Sequence, residues 1–426
     1  MGKTSHSPQA ANRNSYKRPC GLPRSVILAF LSKRLRDIPL AIAFLLALIF
    51  FIERGPYRAL RYATTGDFGT VYAAARCWLH AANPYERANL KDELARAGAP
   101  ASIQSDQDVN PSVYLPSALL LMTPLAWMPW TAANVAWCLL SLALWALALW
   151  KILARTSLSA RAKWLAVAGA LVFSPSYVGI YDGNPGVIVI SLVTLAILSE
   201  SRIARAILLG IALCFKPQIA LCAICVLILW RRWRIVAVAI VLFAICLLAG
   251  TRDRSWWQSE QRNLAVSFEP GGQSDPSPRS PVAWQFLNAQ TLVSYPVPDR
   301  TFANAIVWVL GAALTGVFLL GAKSRWQAVA FFSALTLLLT YHRYYDAQLL
   351  LLAIPFLVEL WPRRITFAMV AVCLLVLAFP IQSVLARKLG FAATVPSLQQ
   401  AVLLRNQPAA VLSLTFLFAF TRRKEE

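Results

Sequence analysis

The chain has 426 residues, of which 58% are hydrophobic and only 14% charged, whereas soluble globular chains carry about a quarter charged residues. That balance excludes a water-soluble globular fold. With three histidines and no clustered acids, a transition-metal centre has too few ligands, and the net charge of +22 needs an explanation that does not involve an enzyme of acidic substrates in solution.

Residues 1–37 are polar and basic, contain Pro8, Pro19 and Pro23, and hold no apolar stretch long enough for a signal peptide. They read as a disordered cytoplasmic tail. The run IPLAIAFLLALIFFI from Ile38 then serves as an uncleaved anchor. Apolar blocks bounded by arginine, lysine, proline or polar clusters recur down the chain. They predict crossings near 38–52, 131–150, 164–181, 185–199, 203–215, 218–230, 235–250, 303–321, 326–341, 347–361, 365–384 and 408–421. The fold class expected is an all-α polytopic membrane protein, a single bundle of about 12 transmembrane helices over 38–421 with a short cytoplasmic tail at 422–426. On this map nearly all of the positive excess falls on segments assigned to the cytoplasm. The charge therefore orients the chain in a cell inner membrane, amino terminus inside, and touches anionic lipid headgroups. It is not a nucleic-acid footprint.

Two outer, periplasmic loops stand out by length, 53–130 and 251–302, and loops of that size between packed elements are usually functional or disordered. The first opens with TTGDFGTVYAAARCWLHAANPYE. Asp67, between Gly66 and Gly69, is either a general base presented from an exposed turn or a helix N-cap. The apolar stretch 113–130 is broken by Pro116, Pro124 and Pro129 and reads as a re-entrant or interfacial hairpin. The turn at Tyr181–Pro185 contacts hydroxyls or is simply tight. Arg202 and Arg205 on one side, and Arg231, Arg232 and Arg234 on the other, force the chain out and back within a few residues of Lys216-Pro217. Each arm then spans only about 20 Å, which sinks Lys216 into the bundle, where a cation needs an anion. The second loop is rich in Pro, Gly and Ser from Gly271 and reads as mobile. His342, Arg343, Tyr344, Tyr345 and Asp346 interrupt two apolar runs, either as an interfacial aromatic belt or, with Lys216, as a site for an anionic headgroup.

Cys222 and Cys225 form a CxxC in mid-helix without a histidine partner, and Cys77 alone faces outward, so packing explains the cysteines better than disulfide or metal chemistry. No GxxxxGK loop and no GxSxG elbow occurs.

In order along the chain come GDF with Asp67, NPYE with Tyr85, YLPSALLLMTPLAWMP from Tyr114, DGNPGVIV with Asn184, GIALCFKPQIAL around Lys216, and HRYYDAQLLLLAIP from His342. Over roughly 38–361 this order resembles glycosyltransferase family 87, whose members have the GT-C membrane fold. The resemblance implies a hexosyltransferase, with mannose the usual sugar. It would take the sugar from a polyprenyl-phosphate donor to a lipid or glycan acceptor at the outer face, with inversion and without a cofactor or required metal. By position Asp67 matches the base that deprotonates the acceptor and Lys216 the residue that holds the lipid phosphate. His342, Arg343, Asp346, Tyr85, Tyr114 and Asn184 are the further substrate-binding candidates. Asn184 stands where a glutamine is expected in the GQN-like turn. The alternative is a transporter or flippase for a lipid-linked saccharide, but the halves show no internal repeat and the polar residues gather at one face rather than along a path.

Overall fold

A computed structural model describes residues 24–61, 66–104, 111–278, 280, 282–321, 323–381 and 404–421. Among these the chain is helical throughout its regular structure, with one isolated β-bridge between Phe286 and Arg343. In chain order the helices are α1 (Arg24–Ile52), α2 (Arg58–Arg61), α3 (Gly66–Leu79), α4 (Arg87–Arg96), α5 (Pro116–Ala126), α6 (Trp130–Ala154), α7 (Ala160–Val172) and α8 (Ser174–Tyr181). There follow α9 (Pro185–Leu198), α10 (Arg202–Phe215), α11 (Pro217–Leu229), α12 (Trp233–Gly250), α13 (Arg254–Ser267) and α14 (Gln290–Val293). Last come α15 (Arg300–Leu319), α16 (Arg325–Leu339), α17 (Ile354–Leu360), α18 (Arg364–Ala378) and α19 (Asn406–Phe420). Their starts are legible: Ser159, Ser201 and Ser324 cap α7, α10 and α16, while proline opens α5, α9 and α11.

Among the described residues every predicted apolar block is largely helical, but twelve full crossings are not what helix length presents. Four stretches are long and apolar enough to cross alone: the one from Ile38, α6, α12 and α15. The α7–α8 pair, bent by 49°, would make a fifth. The reason is shelter. α9 has 14 residues and α16 has 15, about 21–23 Å at 1.5 Å per residue, against a hydrocarbon core of about 30 Å. Both are buried along nearly their whole length, while α12 and α15 turn Val241, Ile245, Leu248, Trp308 and Val309 outward. Long helices thus turn apolar side chains outward while these short ones are packed inside the bundle.

Two corrections concern segments expected to be irregular. Helix α1 begins at Arg24, so 24–37 is helical rather than tail, in keeping with its regular mixture of aliphatic and basic residues; 1–23 and 422–426 lie outside the described residues. The Gly271 segment is a bonded turn. Asp275 accepts from the Gly271 and Ser277 N–H groups at 2.9 Å each and from the Ser277 hydroxyl at 2.8 Å, as a short acidic side chain in a turn commonly does. The 113–130 stretch is an extended lead-in, one short helix (α5) and the start of α6 rather than a hairpin.

Helices α9, α10, α11 and α16 each run between two cavities. Asn184, Phe215, Pro217 and Tyr341 line a cavity of about 530 Å³ at one end. Leu198, Arg205, Trp230 and Arg325 line a smaller one of about 230 Å³ at the other. Both long loops fold over the larger. The first is anchored by Glu93, whose carboxylate meets Arg76 at 3.1 Å, His80 at 2.9 Å and Arg96 at 2.7 Å, tying α3 to α4. The second is anchored through α13: Asn263 donates to the Tyr85 and Ser112 carbonyls at 2.8 and 3.1 Å, and Asn83 donates to the Ser259 hydroxyl at 3.2 Å.

Burial alone would raise the Glu93 carboxyl, but His80, Arg96 and Arg76 outweigh it and hold it below its ordinary 4.5. Its stabilisation is therefore complete above the unfolded-state value and is lost as pH falls through the lower folded-state one. Glu93→Gln leaves two arginines facing an uncharged group, with an expected cost of about 3 kcal/mol. Denaturation of the purified protein in detergent at neutral pH measures it; a change under about 0.5 kcal/mol would contradict the anchoring role.

Candidate active site

The larger cavity is built where three breaks in the short helices meet the first turn of α3. The break between α8 and α9 is the DGNP turn. Gly183 takes a positive φ of 61° that favours glycine, and its carbonyl accepts from the Trp137 indole at 2.9 Å. Asn184 then caps α9, its side-chain oxygen accepting from the Gly186 N–H at 2.7 Å. The break between α10 and α11 is Lys216, where Pro217 stops one helix and starts the next. The third break follows α16 and continues as a ten-residue 3-10 run, Tyr344–Ala353, unusually long for that tighter helix. The second long loop fixes this turn: the Leu287 N–H donates to the His342 carbonyl at 2.9 Å, beside the Phe286–Arg343 bridge.

These breaks bring four polar side chains into one network. Lys216 Nζ donates to Asn184 Oδ1 at 2.7 Å and lies 3.3 Å from Asp346 Oδ1. The Asn184 amide donates to Asp67 Oδ2, and the Tyr345 hydroxyl donates to the same oxygen at 3.1 Å. Asp67 and Lys216 are thus one side chain apart. Asp67 sits within the first turn of α3, where a carboxylate suits the helix dipole. Its second oxygen, Oδ1, has no partner among the described residues, and the residue lines the cavity. Space here is tight. A Cβ added to Gly186 would stand 2.5 Å from Asp346 Oδ1 and 2.7 Å from Asn184 Oδ1, so only glycine lets these groups converge.

The sequence candidates divide into two sets. Asp67, Asn184, Lys216, Arg343, Asp346 and Tyr114 line the cavity. His342 and Tyr85 do not reach it. His342 is fully buried behind Asp346, with Nδ1 3.1 Å from Asp346 Oδ2 and Nε2 2.8 Å from the Thr340 hydroxyl. Tyr85 is a strut whose hydroxyl donates to the Tyr114 carbonyl at 2.9 Å. Arg343 donates to the Tyr341 hydroxyl at 2.9 Å and the Gln273 carbonyl at 3.4 Å. No carboxylate lies within ion-pair distance of it among the described residues, and its hydrogen-bond partners are neutral. Lys216, by contrast, is already paired. Sequence reasoning placed Tyr345 in the binding group with Lys216 and missed Arg87 and Glu260 as lining residues. Tyr345 was visible as a polar break in an apolar run, whereas Arg87 and Glu260 sit in polar surroundings that give no contrast.

A family model described as glycosyltransferase family 87 matches residues 113–340, more than half of the chain. The chain belongs to glycosyltransferase family 87. No curated protein and no solved structure matches it. The family 87 match takes in Tyr114, Asn184, Lys216 and the whole second loop, and stops short of Asp67 and of His342–Asp346. Family membership makes the protein a glycosyltransferase, carried on helices of membrane type.

Removing Lys216 from this family 87 protein leaves Asp346, 3% exposed, with a buried charge and one fewer partner. Lys216→Met is expected to cost about 3–5 kcal/mol. Lys216→Met with Asp346→Asn should cost less than the lysine substitution alone, because the uncompensated charge is gone. Thermal unfolding of the two variants in one detergent checks this; a double variant no more stable than Lys216→Met would contradict the pairing.

Proposed function

We propose that this protein transfers a hexose from a polyprenyl-phosphate donor to a hydroxyl of a lipid or glycan acceptor, with Asp67 as the general base. One observation carries the reading: Asp67 lines the cavity with one oxygen held by Asn184 and Tyr345 and the other without a partner among the described residues. A base needs that combination, a fixed carboxylate with a free oxygen within reach of the proton it takes. The acceptor hydroxyl gives its proton to Oδ1 as its oxygen bonds to the anomeric carbon. The bond from that carbon to the phosphate oxygen breaks, and its electron pair leaves with the polyprenyl phosphate. Attack opposite the leaving group inverts the centre.

The leaving phosphate gains charge as it departs, and cations placed for it lower the barrier. Arg343 is the better candidate for this work, because its planar fork of donors has only neutral partners and suits phosphate oxygens. Lys216 keeps Asp346 and Asn184 in place and adds its field to the same wall. Tyr114, Phe268 and Tyr341 offer ring faces to the sugar and the first isoprene units.

Charge supports the outer face as the side of the Asp67 cavity. Arg155, Arg205 and Arg325 line the cavity at the far end of the bundle, and positive ends stay in the cytoplasm, so the Asp67 cavity belongs to the outer face of the inner membrane. A carrier role has less support, because the core of α9 between the two cavities is almost wholly apolar, as in Val187–Ile190 and Leu192–Val193.

In proteoliposomes supplied with labelled polyprenyl-phosphate hexose, Asp67→Asn is expected to slow transfer by about 10²–10⁴-fold while expression and donor binding persist. Arg343→Ala should weaken donor binding with less effect on the chemical step. Full turnover by Asp67→Asn would refute the base.

A further inference from the structure

Helix α13 of the second long loop carries a carboxylate that neither the fold nor the proposed chemistry uses. Glu260 is 4% exposed and lines the Asp67 cavity, yet makes no hydrogen bond or ion pair among the described residues. Burial raises its carboxyl above the ordinary 4.5. A carboxylate withdrawn from bulk water gains from a donor, and other buried acids of the chain have theirs: Glu93 has three basic partners and Asp346 has two, whereas Glu260 has only the cavity to supply one. Nothing about the helix forces Glu260 inward by accident. Asn263, one turn later on the same face, is clamped to the Tyr85 and Ser112 carbonyls, so α13 is docked in a fixed register that aims Glu260 at the cavity.

We propose that Glu260 is a specificity residue that accepts hydrogen bonds from adjacent hydroxyls of a pyranose ring in this cavity. An ionised carboxylate is acceptor-only, so the missing partner is a donor. A cationic donor is disfavoured on charge: the lining holds Arg87, Lys216 and Arg343 against Asp67, Glu260 and Asp346, a balance that gives a positive ligand no net attraction. Neutral donors in pairs are hydroxyls, and a carboxylate's two oxygens match two neighbouring ones. Phe268, Tyr341 and Tyr114 in the same lining supply the flat apolar surfaces that a sugar's C–H face packs against. For the ligand being a sugar, this role rests on the transferase reading above; the site itself does not.

The test uses the full chain in lipid nanodiscs and equilibrium binding of octyl mannoside, octyl glucoside and octyl galactoside, with an octyl oligo-ethylene glycol as the hydroxyl-poor control. Wild type is expected to bind at least one glycoside saturably and the control not at all. Glu260→Gln, of the same size, should weaken that binding about tenfold or more, with Glu200→Gln, at the other end of the bundle, within about twofold of wild type. Glu260→Asp, which keeps the charge on a shorter arm, should fall between and serves if the glutamine variant does not fold. Failure of wild type to bind any glycoside, or unchanged binding by Glu260→Gln, would overturn the role. Wild type that binds glycosides through Glu260 but transfers no sugar would instead overturn the transferase reading and leave the site standing. In an active preparation, a raised KM for the acceptor assigns Glu260 to the acceptor sugar and a raised KM for the donor to the donor sugar. Lower kcat with both KM values unchanged would contradict recognition.

Discussion

A lysine set at the joint of two short apolar helices cannot stay charged without an anion close by, and the rest of the site is arranged around that requirement. Lys216 lies where α10 ends and α11 begins, largely buried at 11% exposure. Asp346 answers its charge and Asn184 takes a hydrogen bond from it. Each of these partners sits on a different break in the bundle, so neutralising one ammonium group locks three helix junctions together. The cost of an intramembrane charge is in this way converted into geometry. Asp67 enters through Asn184, whose two side-chain atoms face opposite demands: the oxygen accepts from Lys216, the amide donates to Asp67.

The inner helices are shorter than the hydrocarbon core and packed within the bundle, and the two long loops roof the cavity that holds the network. The loops hold each other as well as the bundle, through Asn263, Asn83 and Tyr85. A lipid-linked substrate needs such a layout. Its phosphate and sugar must leave water for a polar chamber, while its apolar tail stays among the helices.

Much of this was legible in the sequence, and the reasons are specific. Lys216, Asn184, Arg343 and Asp346 interrupt apolar runs, and an interruption of that kind has to be functional or paired; here Lys216 and Asp346 are both in the cavity and paired to each other. The short spacing between flanking arginines pointed to a buried Lys216, and its side chain is largely buried. What could not be read was which way a side chain points within a motif. HRYYD holds residues facing the cavity beside others that do not, and none of NPYE lines it; Tyr85 turns to the Tyr114 carbonyl and His342 to the far side of Asp346, so both stand behind the wall. Glu260 was invisible for the opposite reason. In RSWWQSEQRN an acid is unremarkable, and only the docking of α13 shows that this one is buried. The number of crossings was also beyond reach, since a block of apolar residues does not declare whether lipid or other helices surround it.

In the proposed reaction a phosphate-linked sugar occupies the cavity with its phosphate at Arg343 and its anomeric carbon toward Asp67. An electron cryomicroscopy map of the protein with a non-cleavable phosphonate analogue of a polyprenyl-phosphate hexose tests it directly. The account predicts phosphonate oxygens about 3 Å from the Arg343 guanidinium and a sugar ring between it and Oδ1 of Asp67. Density for the headgroup among Arg155, Arg205 and Arg325 at the other end of the bundle, with the Asp67 cavity empty, would contradict it.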